Sequence, residues 1–429
     1  MPTAEEFAIM LRRHVIDVWF PRCLDSVYGG LLCDFDRQWK PCGSHHKLLE
    51  FQARQTWLAA ELLQFAPDDH CLQQVARQGF YYLRDVLWDQ QSGGWFHCLQ
   101  RRGEPLEEHT KHLHGMAYGI SACAAVHKVT KEPGALELSL KAFEWIEEFA
   151  YDREHGGYLS FFKKDGTVIG KVSDNPLQAP TDTLGLPLGM KDANVHSDLL
   201  VALIKLYEVC SEAKVRIKLN EIVQIMAHRM SLASGEFFYL CKRDWVPVPH
   251  IMRYGLALQT ASGLLESQNI LGLDTGITKI AQALVDCCLR YGWDRQVGGF
   301  FYASPASLPM VIEGHDLIVR RKVWWVQFEA LKALLSLSNV VENNKIYLDY
   351  FGSQWDYIKR FIFDSKYGGV YPFGLDMLPL WQQKLQAWLA PGQFTYKGNT
   401  WKDCSHEGRA LLYCWKAMNN DPIKLKVSK

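Results

Sequence analysis

Apolar residues recur along this chain with a helical period, in segments of two kinds that alternate. Phe7 to Val18, Cys71 to Trp88, Ala135 to Phe149, Ile217 to Met230, Ile277 to Tyr291 and Tyr347 to Phe363 pair an apolar face with a charged one. Leu48 to Leu63, Lys111 to His127, Asn194 to Cys210, Arg253 to Glu266, Val323 to Ser336 and Glu407 to Met418 are richer in Ala, Leu and Gly and carry fewer charges. A helix apolar around most of its circumference is buried, and one with a charged face lies outside. The pattern therefore predicts outer helices of the first kind and inner helices of the second.

Between each outer and inner segment stands a short element built on glycine. It reads Val27-Tyr28-Gly29-Gly30-Leu31, Ser92-Gly93-Gly94-Trp95-Phe96 and His155-Gly156-Gly157-Tyr158. A degenerate copy follows, Ser234-Gly235-Glu236-Phe237-Phe238, then Val297-Gly298-Gly299-Phe300-Phe301 and Tyr367-Gly368-Gly369-Val370-Tyr371. The spacing is roughly 60 to 80 residues, the mark of a repeat architecture. Diglycine permits the positive φ of a tight turn into a short strand. Six units of outer helix, β-turn and inner helix predict an all-α (α/α)6 barrel, with short β-hairpins linking outer and inner helices. Residues 1–429 then form one domain despite their length, since a closed ring of repeats needs no capping unit. An open HEAT-like array would instead show units of about 40 residues without Gly-Gly strands.

Composition narrows the function classes. Lys plus Arg and Asp plus Glu are 47 each, so no net field draws in nucleic acid or an anionic membrane. No stretch approaches the ~20 apolar residues of a membrane span, and Met1 to Phe20 lacks the apolar core of a secretory signal. These features lead to the expectation of a cytoplasmic protein. The 12 cysteines include no C-x-x-C, and the only adjacent pair, Cys287 and Cys288, sits in helical apolar sequence, so buried reduced thiols are expected. The 15 Trp, 18 Tyr and 21 Phe exceed core needs in a way that suits stacking on the apolar faces of sugar rings.

All inner helices begin at one face of the predicted ring, so polar residues in their first turns converge on its axis. The first offers Arg54 and Trp57, the second His109, Lys111, His112 and His114, and the third Asn194, His196 and Asp198. The fourth is preceded by His250 and holds Arg253, Tyr254 and Gln259. The fifth carries Lys322, Trp324, Trp325 and Glu329, and the sixth begins near Trp401 with His406, Glu407 and Arg409. Each has an ordinary structural reading: a helix-end His as a cap, Trp324 and Trp325 as wall packing, Arg54 neutralised by Glu329 or Asp198. A core seldom places so many costly groups in one layer, and their convergence points to a functional cavity.

The residues that carry this layer resemble the N-acylglucosamine 2-epimerase superfamily, which includes cellobiose 2-epimerases and mannose-type aldose–ketose isomerases. The resemblance spans essentially the whole chain. It rests on Ala53-Arg54-Gln55-Thr56-Trp57, Lys111-His112-Leu113-His114-Gly115, Asn194-Val195-His196, the run Lys322 to Glu329, and Trp401-Lys402 with Ser405-His406-Glu407-Gly408-Arg409. It implies an (α/α)6 barrel, monomeric or homodimeric, acting on a small unphosphorylated sugar through a cis-enediolate with no metal or cofactor. By the same resemblance His406 is the general base and Arg54 holds the sugar oxygens. His112, His114, Asn194, His196, Asp198, Glu329 and Arg409 contact substrate, and Trp324, Trp325 and Trp401 stack on it. A base near the C2 proton and donors for the oxyanion are what such chemistry requires.

The match departs from the family at three places. The second catalytic histidine and the glutamate of the fourth inner helix are replaced by Leu256 and Gln259. Asp198 stands for a second histidine in the third, and His114 for a tyrosine in the second. Epimerisation normally takes two bases, one for each face of the sugar, whereas one base suffices for isomerisation. His250, His114 and His112 are the candidates for a replacement second group. Two other readings stay open: a non-catalytic sugar binder, and a glycoside hydrolase using two of Asp198, Glu329 and Glu407.

Overall fold

The computed structural model describes residues 1–106, 109–170, 180–183, 185–248, 251–305, 311–312, 315–316, 318–377 and 396–420. Among the described residues, twelve helices of eight residues or more alternate between two roles. The outer ones are α1 (Ala4–Leu11), α3 (His70–Tyr82), α5 (Ala135–Trp145), α7 (Ala213–His228), α9 (Gly276–Tyr291) and α11 (Lys345–Phe361). The inner ones are α2 (Leu49–Leu62), α4 (Leu113–Thr130), α6 (Ala193–Cys210), α8 (Tyr254–Leu271), α10 (Trp324–Ser338) and α12 (Ser405–Asn420). Each inner helix packs against two other inner helices, and α12 closes the ring onto α2. Each outer helix lies against the inner helix before it, with α1 on α12. The result is the (α/α)6 barrel that the periodicity predicts. Burial follows the reading of the two sets: every residue of α2 from Leu49 to Ala60 is buried, while α3 buries one face. Three outer helices, α1, α3 and α5, run on into a π-helical turn (Arg12–Ile16, Leu83–Leu87, Ile146–Ala150) that the sequence pattern does not reveal.

The strands differ from the expected hairpins. Around each Gly-Gly turn only a single bridge forms, as in Leu24 with Leu31, Trp88 with Trp95 and Tyr151 with Tyr158. Four of the five longer pairings among the described residues join one unit to the next instead. β1 (Lys47–Leu48) runs antiparallel to β2 (Cys98–Leu99), β3 (Lys111–His112) to β4 (Phe161–Phe162), β5 (Lys191–Asp192) to β6 (Leu240–Cys241), and β7 (Ile251–Arg253) to β8 (Ala303–Pro305). A strand that immediately precedes an inner helix has its free edge toward the neighbouring unit, so these ladders stitch the ring together at the helix starts.

The turn itself is organised by an aspartate four residues ahead of its first glycine. Asp25, Asp89, Asp152, Asp294 and Asp364 each accept backbone N–H groups of their own turn, and the glycines that follow take positive φ, 75° and 64° at Gly29 and Gly30. Each aspartate also receives a buried lysine that leads into the inner helix. The pairs are Lys47–Asp25, Lys111–Asp89 and Lys191–Asp152 at 3.0 Å, Lys322–Asp294 at 2.8 Å and Lys397–Asp364 at 2.9 Å. Lys111 and Lys322, read from sequence as polar residues of the axial layer, are thus clamps that fix where the helices start. The fourth unit has Ser231 in place of the aspartate and Met252 in the register of the lysine, and Arg253 beside it stacks on the rings of Tyr239 and Tyr302.

Candidate active site

At the inner-helix starts the caps set the directions of the side chains. His112 accepts the His114 N–H, Asp192 the Val195 N–H and Asp403 the Ser405 N–H, the usual use of such side chains where the first amides of a helix lack partners. One turn further in, two clusters face the axis.

The first joins α10 and α12. His406 Nδ1 lies 2.7 Å from Glu329 Oε1, which also accepts from Arg409 Nη2 at 2.9 Å. A carboxylate accepts, so Nδ1 carries the proton and Nε2 is the basic nitrogen. The Trp325 ring lies 5.5 Å from the His406 ring, and the Arg409 guanidinium 4.7 Å over Trp57. Trp325 approaches α8 this closely because residue 255 is glycine: a Cβ there would run into the indole. Burial lowers the pKa of His406, with Glu329 opposing that shift. Burial would raise Glu329, but Arg409 and His406 hold it below the usual carboxylate range. The cluster is therefore a neutral imidazole at neutral pH, oriented by an ionised carboxylate.

The second joins α2, α4, α6 and α8. Arg54 is 6% exposed, lies 4.1 Å over the Tyr118 ring, and has a buried Nε without a partner. Its Nη2 is 3.3 Å from His114 Nε2 and its Nη1 3.5 Å from Asp403. The counter-charge in contact with it is thus Asp403, and neither Glu329 nor Asp198 pairs with it directly. His114 Nδ1 is paired with Asp198, which also accepts the Tyr118 hydroxyl at 2.7 Å and Gln259 Nε2 at 3.0 Å. The aspartate and glutamine that depart from the family pattern are thus joined in one network.

Other residues singled out from sequence fall at varied distances from this layer. His112 has both ring nitrogens engaged, Nδ1 by the His114 amide and Nε2 by Asp182 at 3.0 Å. His196 is turned into the wall: Nε2 accepts the Tyr158 N–H at 3.1 Å and Nδ1 donates to the Asp192 carbonyl at 2.7 Å. It braces the Gly-Gly turn of its unit, and its expected contact with substrate is corrected accordingly. His250 lies outside the described residues. Asn194 is half-buried at the start of α6, Trp324 sits under Lys402, whose Nζ is 5.4 Å from the ring centroid, and Trp401 is 38% exposed. Leu256, 1% exposed, is core. Glu407 is fully buried beside Lys402, and burial pushes its pKa up to about 8.

Three contributors escaped the sequence reading. Tyr118 stands four residues after His114, a spacing that places both on one face of α4. Asp403 and Asp182 lie in loops whose approach to the axis no periodicity reports. Cys33, Asp34 and His45 bring potential ligand atoms within 4.8 Å of one another, but His45 Nδ1 already accepts the Cys33 and Asp34 amides. Toward the other end of the ring lies a cavity of about 380 Å³, lined by Lys205, Glu266, Lys332 and Lys416 among others and reaching Trp57 and Arg409.

Comparison with known proteins follows the same lines. The chain is 22% identical over 420 residues to cellobiose 2-epimerase of Bacteroides fragilis, covering 95% of this chain and 97% of that one. The solved cellobiose 2-epimerase of Bacillus thermoamylovorans superposes with a TM-score of 0.82 at 19% identity, over 96% and 98% of the two chains. A D-mannose isomerase structure gives 0.78 at 18% identity, over 97% of each. The family profile described as N-acylglucosamine 2-epimerase (GlcNAc 2-epimerase) matches residues 29–179 and 186–372. With that match across most of its length, the chain belongs to the N-acylglucosamine 2-epimerase family.

Proposed function

We propose that this protein is a carbohydrate 2-epimerase or aldose–ketose isomerase, acting on an unphosphorylated sugar through a cis-enediolate with His406 as general base. The observation that carries the reading is the His406–Glu329–Arg409 arrangement, which leaves Nε2 of a neutral imidazole as the free basic atom. Nε2 takes the C2 proton, the C–H electron pair becomes the C1–C2 double bond, and the carbonyl pair moves to O1. Arg54 supplies the donors for that oxygen, and Trp325 beside His406 offers an apolar face for the ring or chain of the sugar. Relatives named cellobiose 2-epimerase and D-mannose isomerase support an unphosphorylated substrate. The cytoplasm is the compartment that twelve free thiols suit best.

A hydrolase reading needs two working carboxylates, and here Asp198 and Glu329 are each tied to a histidine while Glu407 is sealed in the wall. The test is incubation with glucose, mannose, fructose, N-acetylmannosamine and cellobiose in D2O, following deuterium at C2 by NMR. Exchange is expected with at least one aldose, falling by at least about 100-fold in His406→Ala. Sugar binding without exchange for any of them overturns the reading in favour of a non-catalytic binder.

A further inference from the structure

Leu256 removes the group that would be expected to handle the second proton, yet the site contains a second histidine–carboxylate pair, His114 with Asp198. We infer that His114, held by Asp198, is the second proton-transfer group, and that the enzyme is therefore a two-base epimerase. This rests on the enediolate reading above.

The choice of His114 follows from what the ring nitrogens touch. His112 and His196 have both nitrogens committed to wall partners. His97 has Nε2 3.0 Å from the Thr183 hydroxyl and Nδ1 3.5 Å from Glu50. In His114, Nδ1 faces Asp198 and Nε2 faces Arg54. Arginine only donates, so Nε2 is the unprotonated, basic atom and Nδ1 carries the proton, set against Asp198 in an ion-pair contact rather than in the hydrogen bond that His406 makes with Glu329. Burial would raise the Asp198 carboxyl, but His114 and Arg54 hold it below the usual range, so the partner of Nδ1 is ionised.

Position in the ring supplies the stereochemistry. His406 and Glu329 come from α12 and α10, His114 and Asp198 from α4 and α6, and α2 with Arg54 lies between α12 and α4. The two pairs thus flank the arginine from opposite sides, with α8, the helix of Leu256, across the ring. A sugar oxygen that becomes anionic on Arg54 competes for the guanidinium now facing His114 Nε2. His406 takes the proton from one face of C2. Nε2 of His114, released by Arg54, takes a proton from solvent, the C1–C2 π pair takes that proton on the other face, and the O1 pair re-forms the carbonyl. The product is inverted at C2, and His406 returns the abstracted proton to solvent, so both imidazoles end neutral as they began.

The groups facing His114 are Asp198 on α6, Arg54 on α2, Tyr118 on its own helix, His112 ahead of it, and His97 and Asp192 further off. The test uses the full-length protein and whichever aldose shows exchange, reading C2 deuterium incorporation and epimer formation together. His114→Gln is expected to lower epimer formation at least 100-fold while C2 exchange falls by less than tenfold. Asp198→Asn, which removes the carboxylate facing Nδ1, is expected to lower epimer formation more than C2 exchange, in the same sense as His114→Gln; melting temperatures of both variants check folding. Wild-type epimer formation by His114→Gln, or parallel loss of exchange and epimer in it, overturns the assignment, as does a wild-type enzyme that forms only ketose. Absence of exchange in the wild type overturns the enediolate reading itself, and His406-dependent exchange accompanied by epimer formation that is indifferent to His114 overturns this inference alone.

Discussion

At the residue scale the site works by pairing costly groups with one another. His406, Glu329 and Arg409 are nearly buried, and none would be tolerated there alone. Glu329 raises the affinity of His406 for a proton against the pull of burial. Glu329→Gln therefore lowers the His406 pKa further, so the acidic limb of kcat/KM shifts to lower pH while kcat falls on the order of 100-fold; a profile that keeps its acidic limb would show that the carboxylate only packs. Sequence made most of this layer legible, because His406, Glu329, Arg409, Arg54, His114 and Asp198 all sit in the first two turns of inner helices. It misplaced His196, since period alone assigns a helix face but not the direction of a side chain at the helix end. It missed Tyr118 and Asp403 because a phenol among apolar neighbours and a loop carboxylate carry no periodic signal.

At the element scale the twelve helices, with their π-helical turns, were legible to within about five residues at each end, α8 running on to Leu271 for instance, from the contrast between one-sided and all-round apolar segments. The strands were not, because pairing partners lie about 50 residues apart and nothing local distinguishes them, Lys47 opposite Leu99 for instance. The Lys–Asp clamps were in plain view as an aspartate four residues before each full Gly-Gly pair, with a lysine ahead of the inner helix. Lys111 and Lys322 read as members of the axial layer and the aspartates as residues without a role, until the structure showed the lysines buried against them. Removing one partner of a buried pair leaves an uncompensated charge, at a cost of about 3–5 kcal/mol. Asp152→Ala should lower unfolding free energy in urea by about that amount; a change below about 1 kcal/mol would mean Lys191 finds water or another acceptor.

At the scale of the whole molecule, stability should depend on pH in two stages. Burial lowers the pKa of His14 and His196 to about 4 in the folded state, below the ordinary ~6.5 of the unfolded chain. Between those values the unfolded chain binds more protons, so stability falls as pH drops from about 6.5 toward 4. Asp25, Asp152 and Asp364 lie in buried surroundings that alone would raise them, but their arginine and lysine partners hold them well below the carboxylate range. The ordinary aspartate value is ~3.9, so their contribution is complete above about pH 4 and is lost below it. Melting temperature followed from pH 8 to pH 2 should show a shallow decline and then a steep one; a flat profile down to pH 4 would mean the two histidines ionise without cost in the fold.

The clamps are attached to the outside of the axial layer, one residue or more away from every group that would meet a substrate. Anchorage and chemistry are therefore inherited separately in this barrel. The fourth unit has lost the clamp and the expected histidine, yet α8 still stands in the ring, held by β7 on β8 and by the stacking of Arg253. In a scaffold of this kind one axial side chain can be traded for another, such as those of the His114, Asp198 and Gln259 network, while the clamps go on fixing where their helices begin. New specificities can be sought by recombining first-turn residues alone, leaving the turns untouched.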